Sequence, residues 1–168
     1  LPLLTISSLA FFAACVLAAA VSDLLTMTIP NRLTLALAAA FPVAAASVGM
    51  ELPSFGWHLA AGALVLVVCF GFFAMGWLGG GDAKLGAGVA LWLGFESLMP
   101  WLLATALIGG ALTLFILAVR RVPLPALVAR QDWALRLHAP ETGVPYGIAI
   151  SAGALWILPM TFWVKLLS

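Results

Sequence analysis

Two aspartates in this 168-residue chain stand where carboxylates are costly. Asp23 closes a long apolar run, in SDLLTMTIPN, and Asp82 follows three glycines, in LGGGDAKL. An ionisable group in or at the edge of an apolar span is functional by default. Two surface acids paired with Arg32 and Lys84 would leave the same trace in the sequence. Held within a few Å of each other, two carboxylates do not both ionise easily, and the pair shares a proton. One then takes a proton from water while the other polarises a carbonyl, which is the chemistry of amide hydrolysis. Asp82 is expected to be the base, because it begins a helix whose N–H groups favour an anion. Asp23 lies near a helix end that disfavours one.

The neighbouring residues bear on how a site would be built. Gly79, Gly80 and Gly81 permit positive φ and close approach of another backbone. At a helix start their free N–H groups suit an anion or an extended peptide, while Asp82 also suits a capping role. Pro30 drives Ile29 towards extended geometry. Asn31 either caps the second helix or orients Asp23. Lys84 either offsets charge at Asp82 or anchors its span at the headgroups. Pro145, Tyr146 and Gly147 are either a helix-start signal or a segment that pairs with an extended substrate.

The elements that must position these residues are membrane helices. The chain is 65% hydrophobic and 8% charged, and its mean hydropathy of +1.21 lies far from soluble composition. Runs near 20 residues with few charges read as spans, and the alternation of a membrane barrel is absent. The expected fold is an all-α polytopic bundle of six spans, roughly 3–22, 33–49, 57–78, 85–98, 101–119 and 146–166, with a tight turn at Met99-Pro100. Merging the fourth and fifth is the competing count. Arg32, Lys84, Arg120, Arg121, Arg130 and Arg136 fall in the odd loops of the six-span layout, and the even loops carry no Lys or Arg. The positive-inside rule then puts odd loops and both aspartates in the cytoplasm, and both termini outside. A five-span count would separate the four arginines of the last loop from Arg32 and Lys84.

Other features have plainer expectations. The first apolar run lacks a basic n-region, so it is expected to be a retained span rather than a signal peptide. Trp57, Trp77, Trp101, Trp156 and Trp163 read as an interfacial belt. Glu51, His58 and Glu96 read as solvated groups of the outer face. Residues 120–145 read as an interfacial segment on anionic headgroups. Cys15 and Cys69 read as buried thiols, with no zinc-type spacing. No metal, cofactor or nucleic-acid partner is expected.

With these residues in view, the chain resembles the type IV prepilin peptidases. Gly79-Gly80-Gly81-Asp82, continued by Ala83-Lys84-Leu85, is similar to their G-x-G-D motif. Asp23 with Ile29-Pro30-Asn31 is similar to their aspartate preceding I-P-N, and Val144-Pro145-Tyr146-Gly147 to the entry of their final helix. The resemblance implies a membrane aspartic endopeptidase with Asp23 and Asp82 as its catalytic pair. It implies a bacterial inner-membrane location and cleavage of prepilin or pseudopilin leaders on the cytoplasmic side, after a glycine. The long forms carry a cysteine-bearing insertion after the first span, linked to N-methylation. Here that loop is about ten residues without cysteine, so residues 1–168 are expected to form one peptidase domain without a methyltransferase. That compact form resembles the peptidases of Flp/Tad pilus assembly. The alternatives are a small ion- or proton-coupled transporter, whose acids would lie nearer the midplane, and a non-catalytic scaffold subunit of a pilus or secretion machine, which would not need both acids.

Overall fold

The computed structural model describes residues 2–167, and it is helical throughout its regular elements. Helix α1 (Pro2–Thr26) is followed by α2 (Asn31–Ser47), α3 (Leu52–Ala74) and α4 (Gly80–Val119). The short α5 (Asp132–His138) lies in the long connection after α4. The chain then closes with α6 (Tyr146–Ile157) and the single turn α7 (Phe162–Lys165), joined by a 3-10 turn. Proline punctuates the starts: Pro30 precedes α2, Pro53 opens α3 and Pro145 precedes α6, where a missing N–H costs nothing.

Residues Pro2–Thr26, Leu52–Ala74, Gly80–Val119 and Tyr146–Lys165 are long and apolar enough to cross a membrane. Large apolar side chains such as Leu3, Val43, Val67, Phe70, Leu107 and Leu114 are exposed on the outside of the bundle, as a lipid solvent allows.

Helix α4 is not straight. Gly94 has φ 67° and ψ 177°, a backbone that L side chains rarely adopt, and the chain reverses there. Along a continuous helix, residues 86 and 101 would be roughly 22 Å apart. Instead, a Cβ built on Gly86 would lie 3.8 Å from the Trp101 ring. The expected turn at Met99-Pro100 is therefore corrected to Gly94, and Pro100 sits inside the second half of α4.

A break of this kind leaves the carbonyls of the preceding turn without helical partners. Two are capped by side chains from elsewhere. The His58 Nδ1–H donates to Leu91 C=O at 2.8 Å, and the Trp163 indole N–H donates to Trp92 C=O at 2.7 Å. Trp92 itself donates to Leu37 C=O at 2.9 Å. These groups stack with Phe12, Phe41 and Phe162 into one aromatic cluster.

Two expectations change here. Trp101 and Trp163 are buried, at 2% and 0% exposure, with Trp101 donating to Ile150 C=O; they are core groups, whereas Trp57 and Trp77 are exposed as belt residues would be. His58 is likewise buried rather than solvated, because the reversal needs its N–H.

Candidate active site

Both aspartates lie at the other end of the first half of α4. Asp23 sits on the last turn of α1 and is 5% exposed. Its Oδ2 accepts the Gly147 N–H at 2.7 Å, so the start of α6 meets the end of α1. A side chain would crowd this junction and displace its neighbours: a Cβ on residue 147 would fall 2.8 Å from Asp23 Oδ2 and 2.9 Å from Ile29 Cδ1. Gly147 thus gives its N–H to Asp23 rather than to a substrate backbone, and the helix-start reading of Pro145, Tyr146 and Gly147 holds in part. Pro145 is the buried residue preceding α6. The Tyr146 ring is packed so closely on Gly109 that a Cβ there would lie 2.6 Å away.

Asp82 is half-buried. It occupies the third position of α4, and its carboxylate accepts the N–H of Gly79, the residue preceding the helix. This is one arm of a capping box. Position relative to helix ends does not separate the two acids. Asp23 ends one helix but accepts from the first turn of another, so both carboxylates stand at helix N-termini, where anions are favoured.

The glycines behave differently from expectation. None of Gly79, Gly80 and Gly81 has positive φ. Gly80 lies against the Phe73 ring, and Gly81 lies against Ile29, where an added Cβ would sit 3.1 Å from Ile29 Cβ. Ile29 is thus a wedge between the starts of α4 and α6. Pro30, which follows it, is itself extended, with φ −61° and ψ 134°.

Asp23 and Asp82 border the same two cavities. The larger, about 870 Å³, is walled by Phe72, Trp77, Leu78, Thr113, Val144 and Tyr146 among others. The smaller, about 330 Å³, is walled by Met27, Thr28, Ile29 and Gly79, Gly80 and Gly81.

Lys84 and Asn31 are not part of this site. Lys84 Nζ donates to Asn31 Oδ1 at 3.0 Å, and both line a separate apolar groove between α2, α3 and α4. Two residues apart on a helix, Lys84 and Asp82 do not face the same way. Asn31 neither orients Asp23 nor caps α2, since the capping position belongs to Pro30.

Three contributors carried no sequence signal. Met27 ends α1 with φ 53°, a left-handed turn that costs a non-glycine residue about 1–2 kcal/mol. Arg120 donates to the carbonyls of Leu137, Thr142 and Gly143, and Arg136 donates to Leu25 C=O. Together they strap residues 120–145 over the end of α1 and hold the Gly143–Val144 wall of the larger cavity. Two of the four arginines of that segment thus cap internal carbonyls.

These features define a helical membrane protein with two carboxylates bordering shared cavities at one end of its bundle. The chain matches the model of the type IV leader peptidase family over residues 10–114, a stretch that contains both aspartates and more than half of the sequence. It belongs to that family, which makes it a leader peptidase in general terms, with prepilins as the general class of substrate. No curated protein and no solved structure matches it.

Proposed function

We propose that the chain is an aspartic endopeptidase that removes the leader of type IV prepilins or pseudopilins on the cytoplasmic side of a bacterial inner membrane, cutting after a glycine. The observation that carries this reading is that Asp23 and Asp82, 59 residues apart in sequence, border the same two cavities. The pair works as one unit holding one proton. The ionised carboxylate takes a proton from water as its oxygen adds to the scissile carbonyl carbon. The protonated partner donates to the carbonyl oxygen. Collapse of the tetrahedral adduct breaks the C–N bond: the leaving nitrogen receives the proton held by the pair, and one hydroxyl of the adduct returns its proton to the pair as the C=O re-forms, which leaves a carboxylic acid product and a pair again holding one proton. Gly147 and Gly79 fix the carboxylates, and Ile29 sets the spacing of the two helix starts.

Six spans follow if α2 and the two halves of α4 each cross the membrane, and the arginine-rich loops then share a face with both acids, with the termini opposite. Residues 1–168 act as one peptidase domain without methyltransferase chemistry, in the manner of Flp/Tad peptidases. The test is co-expression with a prepilin of the same cell. Wild type is expected to trim the leader, and Asp23→Asn and Asp82→Asn each to leave it intact while still inserting into the membrane. Continued trimming by both variants would end the assignment.

A further inference from the structure

Four residues line both site cavities: Asp23, Met27, Gly79 and Asp82. Two are the acids and Gly79 has no side chain, which leaves Met27, among the described residues, as the other residue with a side chain that borders both spaces. Its backbone is held in the left-handed region, at φ 53°, by specific contacts. The Met27 N–H donates to Asp23 C=O at 2.8 Å. On either side, the Thr26 and Thr28 hydroxyls meet at 2.7 Å, and Ser22 Oγ donates to Thr28 C=O at 2.8 Å. Glycine or asparagine would take this conformation with less strain. Strain of this kind persists where the surroundings over-determine it, and it clusters at ligand clamps. Here it aims an unbranched, adaptable side chain between a glycine-walled space and an aromatic-walled one.

We infer that Met27 is a specificity-determining residue, the partition that sets which side chains are accepted next to the scissile bond. This deepens the peptidase reading and rests on it. An extended peptide crossing the carboxylates places its two flanking residues on either side of the thioether, one in each cavity. Shortening Met27 merges the two spaces, and enlarging it encroaches on the smaller.

The test measures cleavage of a prepilin series in which each residue flanking the cut is varied from glycine to phenylalanine, by wild type, Met27→Leu, Met27→Ala, Met27→Gly and Met27→Phe. Met27→Leu is expected to keep the wild-type order. Met27→Ala and Met27→Gly should both raise the relative rate on bulky flanking residues at least fivefold, and Met27→Phe should lower it. Agreement between the alanine and glycine variants separates the side chain from backbone strain, and the glycine variant serves if the alanine one fails to fold. An equal change on every substrate, or none, overturns the inference. Asp23→Asn and Asp82→Asn run in parallel: if they still cut, the assignment of the aspartate pair as catalytic falls and the partition with it, whereas inactive aspartate variants with unchanged Met27 selectivity remove only the partition.

Discussion

The two ends of the first half of α4 solve opposite problems with the same material. Asp82 near its start and Gly94 at its end are roughly 18 Å apart along the helix. At the Gly94 end, a broken helix leaves carbonyls in an apolar setting, and His58 and Trp163 bring N–H groups to them. Donors and acceptors are matched, aromatic rings fill the rest, and Trp92, Trp163, Phe12 and Phe41 are almost wholly buried. At the Asp82 end, the helix starts of α4 and α6 offer N–H groups and the chain supplies two carboxylates. There the matching is incomplete: the acids face open cavities, Met27 is strained, and the walls are glycine and loop. One end resists change because buried side-chain donors answer carbonyls that the broken helix leaves open. The other keeps acceptor atoms for something that is not part of the chain.

That contrast breaks first at the carboxylates. Asp23→Asn or Asp82→Asn is expected to lower leader cleavage by at least about a hundredfold, the lower range for loss of positioned acid–base catalysis, with little change in thermal unfolding in detergent. The same substitutions would sink the contrast if they unfolded the protein without touching the rate per folded molecule.

Gly147→Ala comes next. Its added Cβ would meet Asp23 Oδ2 and Ile29, so cleavage should fall at least about tenfold through displacement of one acid, since misplacement of about 1 Å alone can cost about a hundredfold. Initial-rate measurements on quantified, membrane-inserted enzyme decide it; wild-type rates would show that the α6 start does not hold Asp23.

At the aromatic end the readouts exchange places. Trp163→Phe keeps the ring shape but orphans the buried Trp92 carbonyl, and should cost about 1–3 kcal/mol of stability. Its cleavage rate per folded molecule should match wild type. A rate loss without a stability loss would show that the reversal at Gly94 is coupled to catalysis.

The smallest effect sharpens the boundary of the site. Lys84→Ala removes an exposed hydrogen bond to Asn31, and should change stability by less than about 1 kcal/mol and cleavage less than about twofold. A large loss of cleavage would return Lys84 to the acids' neighbourhood, against the direction in which it points.

Much of the site was legible because it was written in chemistry that composition makes rare. Few acids occur in so apolar a chain, so Asp23 and Asp82 stood out, and glycine and proline marked the turns beside them. Legibility failed wherever a residue type has two uses that only packing separates. Indoles serve as interfacial anchors or as buried donors; Trp163 is the second because a reversed helix presents Trp92 C=O to it. A histidine near a span end is solvated or buried; His58 is buried because Gly94 opened the ladder above Leu91. Pro100 drew the expected turn, but the positive φ lay at Gly94 and Pro100 falls inside the second half of α4.

The sequence alone determined an all-helical membrane protein, two exceptional carboxylates and the glycine and proline junctions that flank them, because hydropathy and backbone restriction act locally. Only the tertiary structure decided which helix start answers which acid, that Lys84 and Asn31 face another groove, that Met27 stands between two cavities, and where α4 turns back. Those outcomes depend on contacts such as His58 with Leu91, Lys84 with Asn31 and Gly147 with Asp23, which are 33, 53 and 124 positions apart, and the energy of such a contact is a property of the pair rather than of either residue's neighbours along the chain.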